Sequence, residues 1–218
     1  MKLLLTSAGI RTQELADTLS GLVGKSLENI NVAVINEASA VEPGDKTWFF
    51  NEINDLRKYV GGDIDFVDLL ALSIDEIKER VAFADVIYVV GGNPDYLLHL
   101  YNKTGFASLL KDTLLNEKVY VGSSAGSMVL GRRGSTNEYQ NYYGEDRTFG
   151  TTDYLGAVDF VIKPHFEAPD LPKNHKDILL KASIEEQQLI YAVRDDQAIT
   201  VNDETVSFVG DVFNTGSK

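Results

Sequence analysis

Ser124 stands in Gly122-Ser123-Ser124-Ala125-Gly126, a G-x-S-x-G run of small residues. The Val-Tyr-Val run at 119–121 before it is β-branched and aromatic, as a buried strand should be. Met128, Val129 and Leu130 after it offer the apolar groups of a following helix. Strand, abrupt small-residue turn and helix form the setting of a nucleophile elbow, where a sharp bend pushes one serine hydroxyl out of the sheet at a helix N-terminus. The glycines keep Cβ atoms from clashing where the backbone doubles back. Taken alone, the same run reads equally as a Gly/Ser turn or an anion-binding helix start. A base within reach of Ser124 is what separates these readings.

Three histidines are available. His99, in Leu-Leu-His-Leu, falls on an expected helix and reads as an ordinary partly buried side chain. His175, in Lys-Asn-His-Lys, reads as an exposed residue at a helix start. His165 follows a buried run directly and is locked by Pro164, at the end of the sheet where Ser124 is expected, so it is the candidate base. A carboxylate should hold the imidazole tautomer and support the imidazolium. Between Ser124 and His165 the candidates are Glu138, Glu145, Asp146, Asp153 and Asp159, with Glu138 in the loop nearest the elbow. An oxyanion hole needs two backbone N–H groups aimed at the developing charge. The amide of Ala125 is one candidate, and the Gly91-Gly92-Asn93 turn is the other.

These groups need a frame that brings strand ends together. The runs at 3–5, 31–35, 64–70, 86–90 and 119–121 read as buried strands. Helical spacing lies between them, including Ser73-Ile74-Asp75-Glu76, which has the form of a capping box. Helices are expected near 96–101 and 106–115 as well. Alternating strands and helices indicate βαβ units, a mostly parallel sheet covered on both faces and a three-layer α/β sandwich. Ligands in such sheets bind beyond the carboxyl ends of the strands, where Gly92, Asn93 and Ser124 all fall. A sixth strand is expected at 158–162, a helix at 176–188, and short strands at 189–193, 198–201 and 206–209 as an antiparallel C-terminal edge.

The 218-residue chain suits one domain spanning 1–218. It has no cysteine, which excludes disulfides, thiolate metal sites and a cysteine nucleophile. Thirty-three acidic residues against 20 basic ones give a net charge of −13, which argues against a nucleic-acid partner. No run approaches the roughly 20 apolar residues of a membrane span, and the start is too soon polar for a signal peptide, so a cytoplasmic location is expected. An anionic substrate would need a local basic pocket in so acidic a protein. Arg132, Arg133 and Lys163 are the candidate cations, with Asn93 as a further substrate contact.

The joint set Gly91-Gly92-Asn93, Gly122-Ser123-Ser124-Ala125-Gly126, Ser135-Thr136-Asn137-Glu138 and Lys163-Pro164-His165-Phe166 resembles the dipeptidase E (aspartyl dipeptidase) family of serine peptidases, which includes the cyanophycinases. The resemblance implies a class I glutamine-amidotransferase-like fold with Ser124 as nucleophile, His165 as base, Glu138 as acid, and Gly92 and Ala125 at the oxyanion hole. It also implies a small peptide substrate, typically with N-terminal aspartate, no cofactor or metal, and a monomer or homodimer. Three departures stand out. Glu138 replaces the aspartate of dipeptidase E, Val90-Gly91-Gly92-Asn93-Pro94 replaces G-G-G-N-T, and Ser127 replaces the alanine of A-G-A. The alternatives are a hydrolase of β-aspartyl or cyanophycin-type linkages and a non-catalytic binding member of the same fold.

Overall fold

The computed structural model describes residues 1–135, 149–150, 153–169, 171 and 174–216. The main sheet has seven strands in the order β3-β2-β4-β5-β1-β8-β9. Five of them are parallel: β1 (Lys2–Thr6), β2 (Val32–Ile35), β3 (Ile64–Phe66), β4 (Val86–Val89) and β5 (Val119–Ser123). At the far edge β8 (Ala198–Asn202) pairs antiparallel with β1 and β9 (Thr205–Val209) antiparallel with β8, which forms the expected C-terminal edge without the strand expected at 189–193.

The side-chain alternation of the strands builds a core on each face. Leu3, Leu5, Ala33, Ile35, Ile87, Val89 and Tyr120 point to one side. They meet α3 (Ile74–Ala82), α4 (Pro94–Thr104), α5 (Phe106–Leu109), α6 (Leu115–Glu117) and α7 (Ala125–Met128). Leu4, Val32, Val34, Val86, Tyr88 and Val121 point to the other side, against α1 (Gln13–Val23) and α2 (Thr47–Tyr59). This is the expected three-layer α/β sandwich. The capping box is present: the Ser73 hydroxyl accepts from the Glu76 amide, and the Glu76 carboxylate accepts from the Ser73 amide at 2.8 Å.

Three expectations change. Strand β3 stops at Phe66, because the Asp68 carboxylate accepts the Leu70 and Ala71 amides and turns the chain. The helix expected over 106–115 is interrupted by a π turn at Leu110–Leu114 between α5 and α6. The third correction matters for function. The expected sixth strand does not join the main sheet. Instead β6 (Val161–Lys163) pairs in parallel with β7 (Ile190–Ala192), and β10 (Phe213–Asn214) flanks β7 in a separate three-stranded sheet. The crossover between β6 and β7 carries α8 (Lys176–Glu186), whose Leu179 and Ala182 pack on Val161, Ile190 and Ala192. Among the described residues, no helix is long and apolar enough to cross a membrane.

Candidate active site

The elbow forms where β5 ends. Ser124 has φ 46° and ψ −108°, a conformation rare for a residue with a Cβ, and it is held there from several sides. Its amide donates to the Thr6 carbonyl of β1 at 3.1 Å, and its own carbonyl accepts from Ser127 and Met128 at 2.9 and 3.0 Å as α7 begins. Glycine is required on both sides. A Cβ on Gly122 would lie 2.6 Å from the Ser127 nitrogen, and one on Gly126 2.3 Å from the Val89 carbonyl oxygen. The register sets Thr6 beside Ser123 and Val89 beside Gly122, so the residues leaving β1, β4 and β5 emerge side by side. Ser123 is fully buried and Ser124 is 6% exposed.

His165 is delivered by the smaller sheet, two residues past β6. It too has positive φ, at 56°. Its amide donates to Ser7 Oγ at 2.8 Å, and its carbonyl accepts from Asn174 Nδ2 at 3.1 Å. Its Nε2 lies 3.1 Å from Ser124 Oγ, and its Nδ1 lies 2.9 Å from Asp195 Oδ1. Ser7 Oγ donates to the same carboxylate oxygen at 2.6 Å and sits 3.1 Å from Nδ1. With Asp195 ionised, this network assigns the ring proton to Nδ1 and leaves Nε2 to accept from Ser124. Hydrogen bonding to His165 is the main cause that pulls the Asp195 carboxyl down from 3.8 to about 2, with Ser7 and Arg11 adding to it against partial burial. Arg11 Nη1 lies 3.3 Å from Asp195 Oδ2 and also neighbours Asp55.

Ser124 and His165 therefore meet as the sequence suggests, and a carboxylate from outside the 124–165 segment lies against the histidine. Glu138, Glu145 and Asp146 lie outside the described residues; the carboxylate at His165 Nδ1 is Asp195. Asp195 and Ser7 escape sequence reasoning because one follows the base in the chain, the other precedes the nucleophile by more than 100 residues, and neither lies in the segment between them. The usable signal is Asp195-Asp196 just beyond the buried run of β7, at the carboxyl end of a strand. Asp159 is exposed and pairs with Arg132. Arg133 is bound in a two-pronged ion pair to buried Asp95, with Nη2 3.0 Å from Oδ2, and its guanidinium lies over the Tyr154 ring. Lys163 is buried on β6. Asn93 caps α4 by accepting from the Tyr96 amide at 2.8 Å, while its buried Nδ2 has no hydrogen-bond partner among the described residues.

Gly92, with φ 136°, passes so close to the chain at Ala38 that a Cβ would lie 2.1 Å from that carbonyl oxygen. A Cβ on Gly91 would lie 3.2 Å from Ser124 Cβ, so the turn after β4 lies directly against the elbow. His99 is half-buried near the Phe149 ring, and His175 is exposed at the start of α8. Among the described residues, no group of three or more His, Cys, Asp or Glu is arranged to hold a metal ion.

Comparison with known proteins identifies relatives of this chain. An uncharacterized peptidase of Pasteurella multocida is 29% identical over 180 residues, covering 83% of this chain and 85% of its own length. A peptidase E of a Shewanella species (strain MR-4) is 27% identical over 139 residues, covering 62% of this chain and 57% of its own. A crystal structure described as a candidate peptidase E protein from Listeria monocytogenes EGD-e superposes with a TM-score of 0.74 at 25% identity, over 95% of this chain and 97% of that one. The sequence profile of peptidase family S51 matches residues 3–209. The chain belongs to peptidase family S51, and it is a serine-type peptidase of the class I glutamine-amidotransferase-like fold.

Proposed function

We propose that the protein hydrolyses short peptides through a Ser124–His165–Asp195 triad, and that dipeptides with N-terminal aspartate are its preferred substrates. The observation that carries the triad is the continuous chain of contacts from Ser124 Oγ to His165 Nε2, and from His165 Nδ1 to Asp195 Oδ1, at 3.1 and 2.9 Å. In this reading Ser124 Oγ attacks the scissile carbonyl while His165 Nε2 takes its proton. The amides of Gly92 and Ala125 receive the oxyanion, and Asp195 supports the imidazolium. His165 then gives the proton to the leaving amine as the C–N bond breaks. Water, deprotonated by His165, cleaves the ester and regenerates Ser124.

The aspartyl preference draws on the peptidase E name of the relatives and on one feature of the site. Arg133 is held by buried Asp95 and Arg132 pairs with exposed Asp159, away from Ser124's histidine; Arg11, 47% exposed and between Asp195 and Asp55, presents a cation beside the site. A charge-assisted bond to a substrate carboxylate is worth about 1.5–3 kcal/mol, so Asp-Leu is expected to be cleaved on the order of 10-fold or more faster than Asn-Leu. The test is a panel of α- and β-aspartyl and neutral dipeptides, run alongside labelling by a fluorophosphonate probe. The wild type labels and Ser124→Ala does not, with turnover reduced by about 10⁶-fold. A Ser124→Ala protein that labels normally refutes the nucleophile, and equal kcat/KM for Asp-Leu, Asn-Leu and Leu-Leu refutes the aspartyl preference alone.

A further inference from the structure

One buried carboxyl group at this site has no part in the triad. Glu52, on the inward face of α2, is 7% exposed, and its Oε1 accepts a hydrogen bond from the fully buried Tyr88 hydroxyl at 3.0 Å. Three strand ends close around it. From β1 comes Gly9, with φ 77°; a Cβ there would lie 2.2 Å from the Tyr88 hydroxyl and 3.0 Å from Glu52 Cγ. From β4 comes Gly91, whose Cβ position is 3.8 Å from Glu52 Oε2 and 3.2 Å from Ser124 Cβ. From β5 comes Ser123, whose buried hydroxyl approaches Glu52 without closing a regular hydrogen bond. Glu52 thus lies directly behind the turn that supplies one proposed oxyanion donor and behind the residue next to the nucleophile.

Burial is the main cause that raises the Glu52 carboxyl from 4.5 to about 7, against Ser123, Tyr88, the Gly91 amide and His165, all of which favour the ion. The other charged groups nearby are Asp55, which acts on Tyr88 from the same helix, and Arg11, which neighbours Asp55. Among the described residues no lysine or arginine forms an ion pair with Glu52. A negative charge here would oppose an oxyanion forming beside Ser124, because the interior screens charge weakly.

We propose that Glu52 is a positioning residue of this peptidase that works as the neutral acid: it braces the Gly91–Gly92 turn and the Ser123 side of the elbow while keeping negative charge away from the oxyanion. The inference rests on the serine-nucleophile reading above. Glu52→Gln imitates the neutral acid, with an amide oxygen still able to accept from Tyr88. Tyr88→Phe instead removes a donor that favours the ion.

The test follows the fluorophosphonate labelling rate and dipeptide kcat/KM from pH 5.5 to 9.5 in wild type, Glu52→Gln and Tyr88→Phe. The wild-type profile should bend downward through an ionisation near pH 7, which Glu52→Gln lacks. At pH 9 Glu52→Gln should exceed wild type by about 3- to 10-fold while matching it at pH 5.5, and Tyr88→Phe should move the bend upward. A purely structural role would change stability and leave the profile in place. Superimposable profiles for wild type and Glu52→Gln refute the inference and leave the nucleophile standing. If Glu52→Gln does not fold, an unmoved bend in Tyr88→Phe refutes it equally. A wild type that never labels refutes the serine reading and this inference together.

Discussion

Replacing Asp195 with asparagine removes one charge and keeps the shape, so it isolates what the carboxylate does for His165. The downward displacement of its pKa, from 3.8 to about 2, is at face value roughly 2 kcal/mol of favourable contacts. The side chain is 46% exposed, so solvent screening reduces this to about 1 kcal/mol of ground-state stabilisation. The larger effect is on the tautomer. Arg11 lies 3.3 Å from Oδ2 and favours an oxygen on that side, which turns the asparagine NH₂ toward His165 Nδ1. That arrangement puts the ring proton on Nε2, where it cannot accept from Ser124. The corresponding change in a studied serine protease costs about 10⁴-fold in kcat. Here the Ser7 hydroxyl, 2.6 Å from Oδ1, opposes the flip, so Asp195→Asn should lose about 10²- to 10³-fold, and Ser7→Ala in the same chain should bring the loss toward 10⁴-fold. The assay is steady-state kcat on the best dipeptide, with circular dichroism to check the fold and Glu138→Gln as the control. An Asp195→Asn enzyme within about fivefold of wild type, or a Glu138→Gln enzyme damaged as severely, would overturn the assignment of the acid.

Two further outcomes concern stability. Because the folded-state value of Glu52 is raised, its contribution is fully present below pH 4.5 and is lost as pH rises to about 7; urea unfolding should show up to roughly 3 kcal/mol of decline from this group, absent in Glu52→Gln. A Glu52→Gln protein with the same pH-dependence of stability as wild type would contradict this. Arg133→Met leaves the buried Asp95 carboxylate without its guanidinium, so it should destabilise by about 3–5 kcal/mol while the Asp-Leu to Asn-Leu ratio stays at the wild-type value. A stable variant with a collapsed ratio would instead make Arg133 a substrate contact.

Ser124 and His165 were legible because each follows a buried run directly and carries its own local signal: small residues around the serine, a proline before the histidine. Asp195 was not. The short runs of β7, β8 and β9, joined by Asp and Asn turns, look alike as a sequence, yet β8 and β9 extend the main sheet while β7 pairs in parallel with β6. Only that pairing, Lys163 beside Ala192, brings the residues after β7 next to the histidine. The Arg133–Asp95 pair was equally hidden, since its members are 38 residues apart and each reads as a surface charge. Glu52 is hidden in the same way, because one acid among Trp48, Phe49, Ile53 and Leu56 looks like the polar margin of an amphipathic helix.

The contact between Ser7 and Asp195 joins residues 188 positions apart, and the loop that carries Asp195 runs directly into β8, the strand that zips against β1. The first five parallel strands and the elbow precede this contact in the chain, so a growing polypeptide can build most of its core before the acid has been made. Domains tend to fold during synthesis from the N-terminal side, and distant pairings form late. The order of synthesis therefore acts as a timer: the carboxylate reaches the histidine after the scaffold has set, and an interrupted chain ending before β7 carries Ser124 and His165 without Asp195.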